Sequence, residues 1–421
     1  MSDGAHGTGY LPGPWSCEDG GPARLQTVSG VAGLALAPGA TLRCTTRRTL
    51  LSTMTVLGAP GEVYLLTHSA LRSHIGLPTT ARIERIDPIT LKTLRRSPAL
   101  AGGPMWPGGV ALHRNGDLIV AYGRYLHRID RDCVPRASLA LPHDLPYNGF
   151  VVLDNGLVVT KNLSATVDAL LTVVDPDTLA RACSDVACPE PSVARLSAVG
   201  NTVYVVGLRT LMRYHWSESA QRLLPDTAWR YLYTDGAIHS HGWDVVIDGD
   251  SAWFMDNGAH RYVTRMARAG VKLSANRLHR VSLADADDHQ LLPVSGLAGG
   301  SVTNPPLVDT GRRIVVGHDA ANGCVQAWRY GRCGAPLAPL WNKRRFGCAS
   351  HLLLYPDSGH LVVNDYRRRG EEVVVLDIAS GDELARVRVG GIMQGVVFPS
   401  PGWHGDLYWS SMGKVARVWA E

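Results

Sequence analysis

Apolar positions along this chain do not recur at helical spacing. They come in short runs separated by glycine-bearing turns, the signature of strands rather than helices. The segments NGFVVLDNGLVVTK (148–161), GGVALHRNGDLIVAY (108–122) and HLLLYPDSGHLVVND (351–365) share one phrase of strand, Gly turn and strand. HGWDVVIDGDSAWFMD (241–256) and QGVVFPSPGWHGDLYWS (394–410) are looser copies, and 53–67, 192–206 and 303–317 are weaker ones. Each reads as a tight β-hairpin. A second hairpin follows most of them, as in LLTVVDPDTLARAC and EVVVLDIASGDELARVRV. Two hairpins make a four-stranded meander of about 40–50 residues, the size of a propeller blade.

The copies predict an all-β chain folded as an eight-bladed β-propeller with four-stranded antiparallel blades; a count of seven follows if 192–216 is an elaborated connection. The last copy supplies three strands before Glu421. Its missing outer strand is expected from LQTVSGVAGLAL or ATLRCTTRRTLL, so that strands from both termini close the ring and remove its exposed edges. On this reading residues 1–23 are an N-terminal extension and 24–421 a single propeller domain.

Composition narrows the class. Hydrophobic residues make up 45% of the 421 residues and charged ones 19%, enough apolar content for a large core. A net charge of +5 with short basic runs (Lys343–Arg345, Arg367–Arg369) lacks the basic stripe and stacking aromatics of a nucleic-acid binder. No apolar run approaches the ~18–20 residues of a membrane span, and the N-terminus lacks the order of a signal peptide. A cytoplasmic protein with a small-molecule substrate, no nucleic-acid partner and no membrane partner is therefore expected. None of the eight cysteines forms a CxxC pair. Cys324 and Cys333 flank a predicted turn across which they could pair, while buried free thiols suit a reducing compartment.

Aligning the copies gives one residue per blade just before the innermost strand: Thr53, Gly108, Asn148, Ser192, His241, Thr303, His351 and Gln394. These form a polar ring at one mouth of the axial channel. The next strand ends on the same face and brings His68, Tyr122, Lys161, Asp256, His318 or Asp319, and Asn364 or Asp365. Adjacent residues in a strand point opposite ways, so only one of His318 and Asp319 can face the axis. His, Asp and Asn are the vocabulary of a divalent metal site or of acid–base catalysis. The candidate catalytic residues are His241, His351, His318, Asp365 and Lys161. Asn148, Gln394, Tyr147, Trp106 and Trp243 are candidates for substrate binding. One divalent metal ion is the candidate cofactor, with His241, His351 and Asp256 as its ligands.

The phrases PYNGFVVLDNGLVVTKN and PGGVALHRNGDLIVAY resemble blades of the senescence-marker/gluconolactonase, strictosidine-synthase and virginiamycin-lyase propellers. That resemblance implies a cation or catalytic residue at the axis, with Asn148 in the place of their Asn ligand. The four axial histidines of carotenoid cleavage oxygenases are not matched, since the aligned ring supplies two. The Trp-docking motif of quinoprotein dehydrogenases is not matched either, because VLDIASGDELARV lacks the Trp. The reading is an enzyme acting on a small organic molecule in the axial pocket, by hydrolysis or by lyase/isomerase-type proton transfer. Its rival is a non-catalytic binding or interaction propeller.

Overall fold

The computed structural model describes residues 8–421 apart from 38, 105, 260–264, 368, 369, 392, 395–397 and 412. The expected hairpins form and pair into eight sheets, each an antiparallel meander. Blade 1 is built from Leu51–Leu57, Val63–His68, Thr79–Ile86 and Thr93–Arg96, with Leu100–Gly103 added alongside its third strand. Blades 2 to 7 follow in order over 109–140, 147–191, 197–232, 246–293, 307–344 and 353–390. The turns between first and second strands depend on glycine where the backbone is left-handed, as at Gly116 and Gly156, both with φ +94. The eight-blade count therefore holds, and 192–216 lies in a full blade.

Blade 8 is assembled from Ser400–Pro401, Asp406–Ser411, Lys414–Ala420 and, outermost, Leu42–Arg48. Of the two expected donors, ATLRCTTRRTLL supplies the closing strand, in continuous register from Leu42↔Ala420 to Arg48↔Lys414. The core lies between blades. Leu353, Val362 and Val375 of blade 7 pack with Leu407, Trp409 and Val415 of blade 8 and Leu57, Val63 and Leu65 of blade 1. Blades 3 and 4 share a second such layer around Val159, Val173, Val203 and Val205. Each side chain of this kind contributes about 1.5–3 kcal/mol when fully buried.

An inner strand has a free edge facing the axis, and its N–H groups need acceptors. Here the chain ahead of blade 1 provides them. Carbonyls of Trp15, Ser16, Pro22, Ala23 and Gln26 accept from the amides of Leu57, Leu112, Ala198, Ile247 and Leu354, at 2.8–2.9 Å. The segment thus crosses the ring and touches the inner strands of blades 1, 2, 4, 5 and 7. Tyr10 adds blade 3 through its hydroxyl, which accepts from Val152 at 2.8 Å. It runs through the expected boundary at residue 23 and is buried on both sides of it, from Trp15 to Val28. Asp19, Arg24 and Gln26 adopt left-handed φ of 58–59, uncommon for residues with a side chain.

Candidate functional site

Because every blade is an antiparallel meander, inner strands begin and second strands end on one face, here called the mouth. The N-terminal segment pairs with the far ends of the inner strands and forms a floor. Several ring residues tie neighbouring blades together at the mouth. Thr303 Oγ1 donates to Ala349 O at 2.7 Å and Asn148 Nδ2 to Val193 O at 3.0 Å, while Ser192 Oγ donates within its own blade, to Val206 O at 2.6 Å. Gln394 accepts from the Met266 amide and donates to Gly347 O, both at 2.7 Å, which joins the blade 5 connection to the loop entering blade 7. Gly108 has no alternative, since a Cβ there would stand 2.4 Å from Ala121 O.

His351 differs from these. It is fully buried, its Nδ1 lies 2.8 Å from Asp19 Oδ1, and its ring stacks on Phe398 with centroids 3.8 Å apart. Its Nε2 has no hydrogen-bond partner among the described residues. Burial alone would raise the Asp19 carboxyl, but the neighbouring His351 and Arg24 outweigh it and hold the carboxyl below its ordinary value. His318 of blade 6 is also fully buried, and neither of its ring nitrogens has a partner among the described residues. Burial, helped by the charge of His351, pulls its pKa down to about 3, so it is neutral at pH 7. Asn304 adds an unpartnered Oδ1 on the same blade, and Thr53 an unpartnered hydroxyl in blade 1.

Below the dyad sits a network no repeat pattern revealed. Arg24 donates to Glu18 Oε1 at 2.5 Å, to Asp19 Oδ2 at 2.7 Å and to Leu196 O at 2.9 Å, and its Nη1 is 4.0 Å from Asp244 Oδ2. Arg195 donates through its guanidinium to Asn148 O and Gly108 O and through its amide to Asp244 Oδ1 at 2.6 Å, and it lies over the Phe398 ring. These residues lie outside the aligned ring, in the N-terminal segment and in the connections entering blades 4 and 5. The visible signal was local: WSCEDGGPARLQ puts Glu18, Asp19 and Arg24 into an otherwise weakly charged stretch.

The remaining expected residues take other positions. Asp256 accepts from Arg277 at 2.7 Å and lies 3.1 Å from His279, both on the third strand of its own blade. Asp365 accepts from the Gly347 amide at 2.9 Å and pairs with Arg367 and Arg386. Asp319 accepts from Ser295, Ser301 and Asn322, so of the adjacent pair His318 is the one whose side chain has no hydrogen-bond partner among the described residues. Asp365 and Asp319 pin the loops that lead into inner strands and Asp256 holds the third strand of its blade, uses that strand position alone cannot separate from catalysis. Lys161 is buried, with Nζ 3.3 Å from Ser192 O and 3.4 Å from Asn162 O, and burial lowers its pKa to about 7. Tyr147 packs in the layer between blades 2 and 3. Trp243 and Trp106 join one apolar cluster with Leu163 and Val193, and the His241 ring lies 5.8 Å from that of Trp243. All eight cysteines are free, Cys324 and Cys333 included.

A resident metal can be tested on the donor set. His241, His351 and Asp256 are not gathered, because Asp256 is held by Arg277 and His279 within blade 5. Among the described residues, Asp19, Asp244 and His351 do bring one ligand atom each within 4.8 Å of one another. Arg24 already sits between these carboxylates as their cation, at 2.7 and 4.0 Å. A divalent ion would have to displace the guanidinium, so the set does not fit one as it stands.

This geometry defines the chain as an eight-bladed β-propeller with a closed, polar axis. No family model and no curated protein matches its sequence. The likeness is one of shape. A quinohemoprotein alcohol dehydrogenase, ADHIIG from Pseudomonas putida HK5, superposes with a TM-score of 0.64 at 11% identity, covering 97% of this chain and 80% of that one. The Dos1 propeller gives 0.57 at 9% identity over 90% and 95%. Dihydro-heme d1 dehydrogenase NirN, in complex with DHE, gives 0.52 at 14% over 86% and 73%. At such identities the likeness establishes the fold and leaves the chemistry to the residues. What stands of the resemblance drawn from the blade phrases is the propeller itself.

Proposed function

We propose that this propeller is an enzyme that moves a proton on a small, partly apolar organic molecule held at its axis, in a hydrolytic or lyase/isomerase-type reaction. His351 is the acid–base group. The observation that carries the reading is the Asp19–His351 pair: one imidazole nitrogen lies 2.8 Å from a carboxylate held ionised, and the other has no partner among the described residues. An acid–base imidazole needs one nitrogen fixed and one available to the reacting group. Asp19 orients the ring and stabilises the imidazolium that forms when His351 takes a proton. His318, held neutral, donates a hydrogen bond to a developing oxyanion without handing over its proton. Lys161, close to neutrality at pH 7, is a second proton carrier. Trp106, Trp243 and His241 supply the apolar side of the mouth, with Asn148 and Gln394 at its edge. The reaction is written without a metal, because Arg24 takes the cation's place.

The test is nuclear magnetic resonance in D₂O against a panel of lactones, esters and carbonyl compounds, reading both hydrolysis and C–H exchange. For a compound that turns over, His351→Ala is expected to lose about 10²–10⁴-fold, the usual scale of general acid–base catalysis. Asp19→Asn is expected to lose less and to move the lower limb of the pH profile. An unchanged rate in His351→Ala overturns the assignment. A second reading, a non-catalytic propeller that holds a small molecule, is favoured by the complete burial of His318 and His351. It predicts saturable binding that His351→Ala abolishes, with no turnover.

A further inference from the structure

The apolar side chains left in solvent are not spread evenly. Among the described residues the five most exposed large ones, from Leu232 at 62% to Leu273 at 90%, are Leu71, Ile75, Leu232, Ile238 and Leu273. All lie on the mouth face. Leu71 and Ile75 sit in the short 3-10 segment Ala70–Ile75 between the second and third strands of blade 1. Leu232 ends the outer strand of blade 4, Ile238 follows it, and Leu273 lies between the second and third strands of blade 5. The apolar residues on turns of the opposite face, Ile89, Val134 and Val199, are less exposed, at 50%, 46% and 37%. The mouth also carries Arg72, Arg209, Arg265, Arg268 and Arg345, all exposed. None has a side-chain hydrogen bond or ion pair among the described residues. The exposed carboxylates on that face are Asp144, which Arg124 pairs at 3.4 Å, and Asp168 and Asp235.

We propose that the mouth face rests on an anionic lipid bilayer, with these leucines and isoleucines entering the headgroup–acyl boundary and the unpaired arginines meeting the headgroups. Apolar tips beside basic side chains on one face are what interfacial binding uses, since burial of the tips and attraction to anionic lipid add. The distribution favours a bilayer over a shaped protein partner. Leu71 and Ile75 on blade 1 stand across a ring of eight from Leu273 on blade 5, beside which Ser274 donates to Ile238 O at 2.7 Å, so the tips meet a plane at two well-separated places. The expectation of no membrane partner rested on the lack of a spanning run, and a surface contact needs none. The inference is independent of the chemistry at the axis.

Flotation of the full chain with vesicles tests it, using phosphatidylcholine alone and phosphatidylcholine mixed with phosphatidylglycerol. Co-flotation with the mixed vesicles is expected, with at least about tenfold weaker partition on phosphatidylcholine alone or in high salt. Leu273→Asp combined with Ile75→Asp should lower partition about tenfold with an unchanged circular dichroism spectrum, and Arg268→Glu should lower it less. Absence of flotation at low salt overturns the proposal, as does equal flotation of the double variant. A dimer that forms through Leu273 in light scattering, without flotation, assigns the face to a second copy and overturns it too.

Discussion

Arg24 and His318 occupy the same buried axis. Arg24, on the floor side, has hydrogen bonds to Glu18, Asp19 and a main-chain carbonyl, with Asp244 at 4.0 Å. His318, at the mouth, has none on either ring nitrogen among the described residues. Buried ions persist when they are paired, and losing one partner leaves the rest uncompensated. Buried polar atoms without partners are rare enough to ask for a purpose, whether a ligand, a water or a catalytic role. The floor therefore reads as the part that holds the ring's centre together, and the mouth as the part left available. His351 belongs to both, bound below through Asp19 and, among the described residues, without a hydrogen-bond partner on its buried Nε2.

That contrast can be broken from either side. The largest effect should come from Arg24→Met, which strands the carboxylates of Glu18, Asp19 and Asp244. A loss of about 3–5 kcal/mol in urea unfolding is expected, and a loss near zero would mean the floor is no balanced network. Lys161→Met should act in the opposite direction. The folded lysine has a pKa of about 7 and the unfolded one about 10.4, so between these values the unfolded chain binds more protons and the parent gains stability as pH rises. Removing the amine should stabilise by about 2–4 kcal/mol at pH 7, with the gain fading toward pH 10. Melting curves at pH 7 and 9.5 check it.

A smaller effect belongs to His318. Its folded pKa of about 3 lies below the unfolded value of about 6.5, so the unfolded chain binds more protons in that window and stability falls as pH drops through it. His318→Leu should remove about 2 kcal/mol of the parent's decline between pH 6.5 and 5, read as a flatter dependence of melting temperature on pH. An unchanged slope would mean that His318 finds a partner in solution.

The fold was legible because it repeats. Eight hairpins written in nearly the same words fix blade, register and face, and the closing strand follows from a last copy one strand short. Of the aligned starting positions, His351 meets Asp19 of the crossing segment, and Asn148 and Gln394 bond to the connections that enter other blades. What stayed hidden is whatever occurs once. Asp19, Arg24, Arg195 and Asp244 sit in connections, where no second copy exists to align them. Asp256 and Asp365 misled for a related reason: a carboxylate at the end of a second strand is equally suited to holding a neighbouring strand or loop, and only its arginine partners reveal which it does. The exposed leucines and isoleucines of the mouth are isolated residues spaced among polar ones, invisible to a search for runs.

The strand Leu42–Arg48 pairs along its whole length with Lys414–Ala420, and this has a consequence in time. During synthesis the early strand emerges long before its partner, an interval of tens of seconds at about 5–20 residues per second. Until then it presents an unpaired edge, and the stretch around Trp15 and Arg24 has no complete ring to cross. Closure is thus the last event rather than the first. The nascent chain must be shielded from self-association over that wait, and an accurate finish depends on keeping its beginning idle.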